Sequence, residues 1–336
     1  MPDMIPLPER PFRQPTLSVV VPAFNEAAGL DRFHQRLAAA LADSVSWEVI
    51  YVDDGSTDGT LAVMEALRST DCHAGVLSLS RNFGKETAIT AGLDHAAGDA
   101  VVVIDADLQD PPELIPELIA QWRRGYDMVN ARRRSRAGET WLKRRTAHAF
   151  YRLMQRTGAL KLPEDTGDFR LLSRRAVDAV RQLREQHRFM KGVFAWIGYP
   201  TTFVPYDRAC RSSGVSKWTY WRLWNLALEG ITSFTVMPLK CATYVGLAVA
   251  VLAVIYAVQV IVKTLIIGNP VAGYPSLMTV VLFLGGVQLM FLGVIGEYLG
   301  RVFDETKQRP LYLVQRFEPS AVRVARCRCR RGTRPC

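Results

Sequence analysis

The sequence predicts an α/β domain with a mostly parallel sheet, followed by an interfacial helix and a hairpin of two transmembrane helices. Short β-branched strands alternate with helices of roughly ten to fifteen residues between positions 16 and 131, the pattern of βαβ units. Tryptophans recur at every third position from 218 to 224, as on one face of an interfacial helix. Two uncharged apolar runs, 241–262 and 277–295, are each long enough to cross a bilayer.

The individual elements follow from these patterns. Five strands are expected, at Thr16–Pro22, Trp47–Asp53, Ala74–Leu79, Ala100–Asp105 and near Asp127–Ala131. Helices are expected between them at Ala27–Ala42, Thr60–Ser69, Thr87–Ala97 and Glu113–Arg124. Further along, residues 132–151 are expected to be basic and helical, and Asp165–Arg170 to form a turn. Polar loops follow the first four strands, which predicts a ligand site at one edge of the sheet.

The fourth strand leads into Asp105-Ala106-Asp107. Two carboxylates one residue apart at a strand end offer the hard oxygen ligands that Mg²⁺ or Mn²⁺ binds. Considered alone, Asp107 fits equally well as a cap for the helix that follows. Neither GxGxxG after the first strand nor GxxxxGK[ST] occurs, so aspartates at strand ends are expected to hold a nucleotide instead of a glycine-rich loop.

The charge distribution argues against a nucleic-acid partner. The formal net charge is +10, but six arginines in residues 321–336 account for much of it and leave +4 for the rest. The six cysteines include no CxxC pair, which favours a reducing compartment over a disulfide scaffold. The proline-rich residues 1–15 are expected to be a flexible leader.

The two apolar runs and the tryptophan-rich segment before them predict a membrane protein. A buried core helix is the alternative to an interfacial one for the segment with Trp218, Trp221 and Trp224. Lys240 precedes the first apolar run, and Arg301 and Lys307 follow the second. The positive-inside rule therefore places the α/β domain and both termini in the cytoplasm. The expected location is the inner membrane. Gly296 and Gly300 form a small-xxx-small pattern, on which a homo-oligomer is one expectation.

These patterns divide the chain into five parts. They are a leader at 1–15, a cytoplasmic catalytic domain at 16–215, an interfacial helix at 216–236, a transmembrane hairpin at 237–300 and a cytoplasmic basic tail at 301–336.

Six motifs together resemble those of a known family. They are Val21–Glu26, Asp53–Thr60, Arg81–Glu86, Asp105–Asp107, Leu108–Glu113 and Thr166–Arg170. In order and spacing they resemble inverting polyisoprenyl-phosphate glycosyltransferases of the GT-A fold, a Rossmann-like nucleotide-sugar domain. The bacterial undecaprenyl-phosphate (bactoprenol) glucosyltransferases look most similar, and dolichol-phosphate mannose synthases are related. The resemblance covers about residues 16–315 and leaves out the leader and the arginine-rich tail.

The resemblance implies roles for individual residues. Those expected to line the nucleotide are Pro22, Phe24, Glu26, Val52, Asp53 and Asp54. Asp105 and Ala106 are expected to contact the sugar nucleotide, and Asp107 and Gln109 to lie at the metal site, with Mg²⁺ or Mn²⁺. The expected basic substrate contacts are Arg132, Arg170, Arg211 and Lys217. The catalytic set is expected to be Asp105, Asp107, Asp168 and Arg211.

The reaction implied is the transfer of one sugar to a polyprenyl phosphate in the bilayer. A phosphate monoester is largely ionised near pH 7, so Asp168 is expected to orient a sugar hydroxyl or an arginine more than to act as an obligatory base. No QxxRW motif of processive synthases is present, which favours a single transfer. Glucose from UDP-glucose is the expected donor. GDP-mannose, a UDP-aminoarabinose derivative and a non-catalytic membrane scaffold stay as alternatives.

Overall fold

The computed structural model describes residues 16–42, 44–134, 166–186, 188–207, 237–267 and 273–323. Its described residues form two compact units. The first contains 16–134, 166–207 and 310–323, and the second contains the long helices between 237 and 309. The predicted interfacial helix, the leader and residues 324–336 of the tail lie outside the described residues, so the predictions for those segments stay predictions.

The first unit is built on one eight-stranded sheet with the order β7-β5-β6-β4-β1-β2-β3-β8. The strands are β1 Thr16–Ala23, β2 Ser46–Asp53, β3 Ala74–Leu79, β4 Ala100–Val103, β5 Met128–Arg133, β6 Thr166–Ser173, β7 Thr201–Tyr206 and β8 Val314–Glu318. Four of the neighbouring pairs are parallel, and β3–β8, β4–β6 and β5–β6 are antiparallel. The sheet is therefore mostly parallel, as the sequence predicted.

Helices cover both faces of the sheet, which is why its central strands are apolar on both sides. They are α1 Ala27–Leu41, α2 Thr60–Thr70, α3 Lys85–His95, α4 Ile115–Arg123, α5 Arg174–Gln182 and α6 Met190–Trp196. Apolar residues of α1, α2 and α4 share one core cluster with the sheet, and those of α3, α5 and α6 share a second. Successive side chains along a strand therefore point alternately into the two core clusters.

Two expectations for residues 132–170 are wrong where the structure describes them, and residues 135–165 lie outside the described residues. Arg132 and Arg133 do not begin a helix but end β5, where they pair with Pro205 and Tyr206 of β7. Thr166–Arg170 is not a turn but the first part of β6, which inserts between β4 and β5. In both places long-range strand pairing overrides local propensity, as is common for strands.

The strand β8 was not predicted at all, although it joins the sheet next to β3. Phe317 pairs with Leu77, and an ion pair of 2.7 Å joins Arg68 to Glu318. Beyond the strand, the buried Ser320 donates a 3.1 Å hydrogen bond to Glu48. The residues predicted as a tail from 301 are therefore divided: 301–309 belong to the helical unit and 310–323 to the sheet.

The second unit consists of two long helices, α7 Met237–Ile267 and α8 Tyr274–Thr306. Large apolar side chains on both are exposed within the described chain, among them Leu252, Leu265 and Leu289. An apolar surface of this extent is typical of contact with lipid. Among the described residues, one helical segment, Phe283–Thr306, is long and apolar enough to cross a membrane, and a shorter apolar one lies at Ala242–Tyr256.

The packing of α3 on the sheet gives a first prediction. A Cβ at Gly92 would overlap the side chain of Val20 and lie 3.1 Å from Val52, whereas a Cβ at Gly29 in α1 would meet only one atom, 3.9 Å away. Gly92→Ala should therefore lower the free energy of unfolding by about 1–3 kcal/mol through overpacking. Gly29→Ala should raise it by up to about 1 kcal/mol through helix propensity.

Thermal unfolding of the purified full chain measures both variants, and Gly29→Ala is the matched control. A Gly92→Ala protein that melts at or above the wild-type temperature would contradict the packing of α3 on β1 and β2.

Candidate active site

The carboxyl ends of β1, β2, β3 and β4 lie side by side, at the edge of the sheet where the sequence predicted a ligand site. Ala23 pairs with Asp53, Asp53 pairs with Ser78, and Val20 pairs with Val103. The antiparallel β6 begins at the same edge, since Arg170 pairs with Val103 at the end of β4. The loops after four parallel strands and the first residues of β6 therefore surround one region, where ligands bind in open α/β sheets.

The loops after β1 and β2 are joined directly. Asn25, in the left-handed region with φ 58°, accepts a 2.9 Å hydrogen bond from the Thr57 amide through Oδ1. Its own amide donates to the Ser56 hydroxyl at 3.1 Å, and the Glu26 amide donates to the Thr60 hydroxyl at 2.9 Å. Asparagine tolerates this backbone conformation better than most residues. Two of the predicted motifs thus form one connected structure.

Two neighbouring aspartates at the end of β2 hold the surrounding backbone. Asp53 accepts from the Ser56 amide at 3.1 Å and from the Ser78 hydroxyl at 3.3 Å. Asp54 accepts from the amides of Phe83 and Gly84 at 2.7 and 2.9 Å. Burial raises the pKa of Asp54, although these two amides oppose the shift. Their predicted contacts with a nucleotide stay predictions, and what the structure adds is their bonds to the neighbouring loops.

The other residues predicted to line the nucleotide differ in exposure. Pro22 and Val52 are buried in the sheet, and Val52 belongs to the core beneath α3. Phe24 is 42 % exposed beside the half-buried Glu26. Ala106 is buried after β4. Among these, Phe24 and Glu26 therefore have side chains that a ligand can reach, whereas Val52 would have to act through its backbone.

Asp105 and Asp168 meet at one lysine. The Nζ of Lys85, the first residue of α3, lies 2.7 Å from Asp105 Oδ2 and 2.6 Å from Asp168 Oδ2. The side chains of Lys85, Asp105 and Asp168 are 45 %, 24 % and 16 % exposed, respectively, so the cluster is open to a ligand. Burial alone would raise the pKa of Asp168, but Lys85 and Lys191 outweigh it and bring that pKa well below its usual range. Asp168 is therefore ionised.

Glu86, next to Lys85, connects α3 to α6. Its Oε2 accepts a 3.2 Å hydrogen bond from the amide of Met190 at the start of α6. Burial, and then repulsion from Asp168, raise the pKa of Glu86 to about 7. Burial lowers the pKa of Lys191 on the same helix, while Asp168 opposes this. The site thus contains a dense group of charges from α3, α6, β6 and the end of β4.

Arg170 is fully buried behind this group. Its guanidinium donates to the Gly167 carbonyl at 2.7 Å and lies 4.2 Å from the centre of the Phe194 ring. Burial lowers its pKa to about 10. The contact with substrate predicted for Arg170 stays a prediction. In the structure this side chain donates hydrogen bonds to the backbone carbonyls of Gly167 and Asp168.

The predicted metal residues lie in a tight turn after β4. Leu108 adopts the left-handed region with φ 59°, which is rare for a branched residue, and the Gln109 amide donates to Asp107 Oδ1 at 3.1 Å. Backbone strain of this kind concentrates at functional sites. A carboxylate and an amide oxygen suit Mg²⁺ or Mn²⁺, and Mg²⁺ is commonly held by one or two carboxylates together with substrate phosphates. The residues therefore fit the group the sequence implied.

A second group of metal-ligating residue types lies elsewhere in the part of the chain that the structure describes. Asp71, Cys72 and His73 have ligand atoms within 4.8 Å of one another, before β3 at the opposite edge of the sheet. Asp71 already accepts from His73 at 2.7 Å and contacts His34 at 3.0 Å. This group is a hydrogen-bonded support for the α2–β3 loop.

The basic residues are only partly described. Arg132 at the end of β5 lies 5.9 Å from the ring centre of Phe203, and the neighbouring Arg133 donates to the Tyr206 hydroxyl at 3.3 Å. Both are at the site edge, because β4 and β5 are both antiparallel to β6 and therefore end on the same side of the sheet. Arg211 and Lys217 lie outside the described residues, so their predicted roles stay predictions.

The sequence motifs alone indicate no individual role for Lys85, Glu86 or Lys191. The signal for the first two was present, because they end the polar loop that follows β3. Lys191 lies in a segment distinguished only by its aromatic residues. Nothing in the local sequence indicates that these three side chains meet, because their proximity depends on how α3, α6 and β6 pack.

The sequence is similar to those of known glycosyltransferases over most of its length. Residues 18–181 match glycosyl transferase family 2, and residues 237–302 match the GtrB C-terminal hairpin. An uncharacterized glycosyltransferase of Synechocystis, sll0501, is 54 % identical over 89 % of this chain and 94 % of its own. The bactoprenol glucosyl transferase of Shigella phage SfV is 48 % identical over 89 % and 98 %. A prophage bactoprenol glucosyl transferase homolog of Escherichia coli is 48 % identical over 90 % and 99 %.

The raised pKa of Glu86 predicts a pH-dependent stability. Because the folded state holds this proton up to about pH 7, against about 4.5 without the fold, the free energy of unfolding falls as pH rises through that window. Glu86→Gln has no proton to lose and keeps an acceptor for the Met190 amide. Relative to wild type, its stability should therefore rise by about 1–3 kcal/mol between pH 5 and pH 8.

The measurement is the melting temperature of both proteins across this pH range. A difference between them that stays constant from pH 5 to pH 8 would show that Glu86 does not titrate there.

Proposed function

This chain belongs to the family 2 glycosyltransferases that carry a GtrB C-terminal hairpin, and we propose that it transfers one glucose from UDP-glucose to undecaprenyl phosphate with inversion. The observation that carries the proposal is the extent of the similarity to the SfV bactoprenol glucosyl transferase. At 48 % identity it runs over 300 residues, so it includes both the sheet domain and the helical hairpin. A protein with the same two parts needs both a nucleotide-sugar site and a place at the membrane.

The chemistry proposed is an in-line displacement. An oxygen of the lipid phosphate attacks the anomeric carbon, the bond from that carbon to the donor diphosphate breaks, and UDP leaves. Because the acceptor is largely dianionic near pH 7, the attack needs little general-base help. The lowered pKa of Asp168, and its 2.6 Å contact with Lys85, support an orienting role for this carboxylate, such as accepting a hydrogen bond from a sugar hydroxyl.

Charge is the main difficulty of this reaction, since a lipid phosphate must approach a diphosphate. We propose that Asp107 and Gln109 hold a divalent cation, which when bound neutralises the charge of the leaving diphosphate. Arg132 at the end of β5, with Arg211 and Lys217 beyond the described residues, would attract the phosphates of donor and acceptor. Asp105, at the end of β4, would contact the sugar nucleotide.

The connectivity supports a hairpin that crosses the membrane twice. Strand β8 follows α8 in the chain and pairs with β3 of the catalytic sheet, so the chain must return to the side it left. An even number of crossings between residues 237 and 309 satisfies this. The basic residues that flank the helices favour the cytoplasm for the catalytic domain and for both ends of the hairpin.

The function is tested by assaying the purified chain with undecaprenyl phosphate and a panel of donors: UDP-glucose, GDP-mannose and a UDP-aminoarabinose derivative. UDP-glucose should give the highest rate, and Asp107→Asn should lower it at least about 100-fold by removing a metal ligand. Asp178→Asn, which removes a carboxylate 52 % exposed on α5, is the matched control and should keep the wild-type rate.

EDTA should abolish transfer by the wild type, and excess Mg²⁺ or Mn²⁺ should restore it. Full activity in EDTA would refute the metal role, and a higher rate with another donor would refute the assignment of glucose. No transfer from any donor would refute the function.

The topology predicts which cysteines a membrane-impermeant maleimide can reach in intact cells. Cys72 is exposed on the catalytic domain, and the proposed topology puts the other five cysteines in the cytoplasm or in the bilayer, so the wild type should stay unlabelled until the membrane is permeabilised. The variant Asn269→Cys, with its new thiol in the link between the two helices, should be labelled in intact cells. Labelling of the wild type in intact cells, or protection of the new thiol there, would contradict a cytoplasmic catalytic domain with a two-span hairpin.

A further inference from the structure

The geometry points to Lys85 as a positioning residue of the transferase, which fixes Asp105 and Asp168 relative to each other across the sugar-binding region. This inference rests on the proposed function. Its basis is the double contact of one ammonium group, 2.7 Å from Asp105 Oδ2 and 2.6 Å from Asp168 Oδ2. Three segments distant in the chain, the start of α3, the end of β4 and the start of β6, therefore meet at one atom.

The backbone around Lys85 is fixed before any ligand arrives. Both oxygens of Asp54 accept hydrogen bonds from the two amides that precede the lysine, at 2.7 and 2.9 Å. Gly84 has φ 96°, a conformation that other residues rarely adopt, and it directs the chain into α3. Asp54 thus acts on the site indirectly. It anchors the loop from which Lys85 extends, and such support is what keeps a functional side chain in place.

A cation is required where Lys85 lies. Asp105 and Asp168 approach the same Nζ, within 2.7 and 2.6 Å. Burial raises the pKa of Asp105, and Lys85 opposes this shift, so the ammonium favours the ionised form in which the two carboxylates would otherwise repel each other. Their attraction in turn raises the pKa of Lys85, although burial opposes it, so the ammonium stays charged. Each carboxylate contacts Lys85 through Oδ2, and a carboxylate can accept further hydrogen bonds through its other oxygen. Hydroxyl groups of the transferred sugar are suitable donors.

The exposure of the cluster separates this role from a purely structural ion pair. Lys85 is 45 % exposed, and an ion pair as open as this usually adds little to stability. We therefore expect the ion pairs of Lys85 to affect the handling of the ligand more than the free energy of unfolding. Loss of Lys85 should leave the domain folded and the nucleotide bound, but should allow the two carboxylates to move apart in the transition state.

The test uses Lys85→Met, Lys85→Arg, Asp168→Asn and the double variant Lys85→Met/Asp168→Asn in the purified full chain. Lys85→Met should lower kcat on the order of 100-fold, with the KM for UDP-glucose within about three-fold of wild type, as expected when orientation and not binding is lost. Lys85→Arg should recover at least about ten-fold of that loss. The double variant should be no slower than the slower single one, because Lys85 acts through Asp168.

The matched control is Arg184→Met, which removes a cation 2.7 Å from Asp94 at the other end of α3 and should keep the wild-type kcat. A Lys85→Met enzyme within three-fold of the wild-type kcat, a Lys85→Arg enzyme as slow as Lys85→Met, or multiplied losses in the double variant would each overturn the inference. A wild type that transfers sugar from no donor would overturn the proposed function and this inference with it, whereas the other outcomes require an active wild type.

Discussion

The ammonium of Lys85 between the carboxylates of Asp105 and Asp168 is the interaction on which the site depends. It joins the end of a parallel strand to the start of an antiparallel one. Two negative charges at this distance need a positive neighbour, so the fold must supply one before the substrate does. The sheet order meets this need by placing β6 directly beside β4, with α3 starting at the same edge.

The same electrostatic problem governs the proposed reaction, in which a lipid phosphate meets a diphosphate. Some carboxylates of the site hold neighbouring loops, and others are proposed to contact the donor or its cation. Asp53 and Asp54 accept hydrogen bonds from β3 and from the loop after it, whereas the hydrogen bond from the Gln109 amide to Asp107 lies within the turn made by the left-handed Leu108. We infer that the acidic residues of this one site have different tasks, which are set by the groups that surround them.

The sequence predicted the parallel half of the fold and the edge at which the site lies, because buried strands and amphipathic helices carry strong local patterns. It did not predict β6, β7 or β8. Thr166-Gly167-Asp168 has the composition of a turn and becomes a strand only because β4 and β5 offer partners on both sides. The role of Lys85 was hidden for the same reason, since a lysine in a polar loop is usually solvated and its two partners follow from the β4–β6 register.

After the two long helices, the chain returns to the sheet of the catalytic domain. Ser320, after β8, donates to Glu48, which also accepts a 2.6 Å hydrogen bond from Ser18 in β1, so the segment after the helices is an integral part of the catalytic core. The hairpin is therefore an insertion between two parts of one domain. This arrangement suits an enzyme whose donor is soluble and whose acceptor lies in the bilayer.

The most direct test of the central claim is the NMR spectrum of the lipid product formed from UDP-glucose and undecaprenyl phosphate. Single transfer by direct displacement predicts one glucose per lipid phosphate, with a large anomeric proton coupling that reports the β configuration, inverted from the α-linked donor. An α-linked product, or a lipid carrying several sugars, would contradict single transfer by direct displacement.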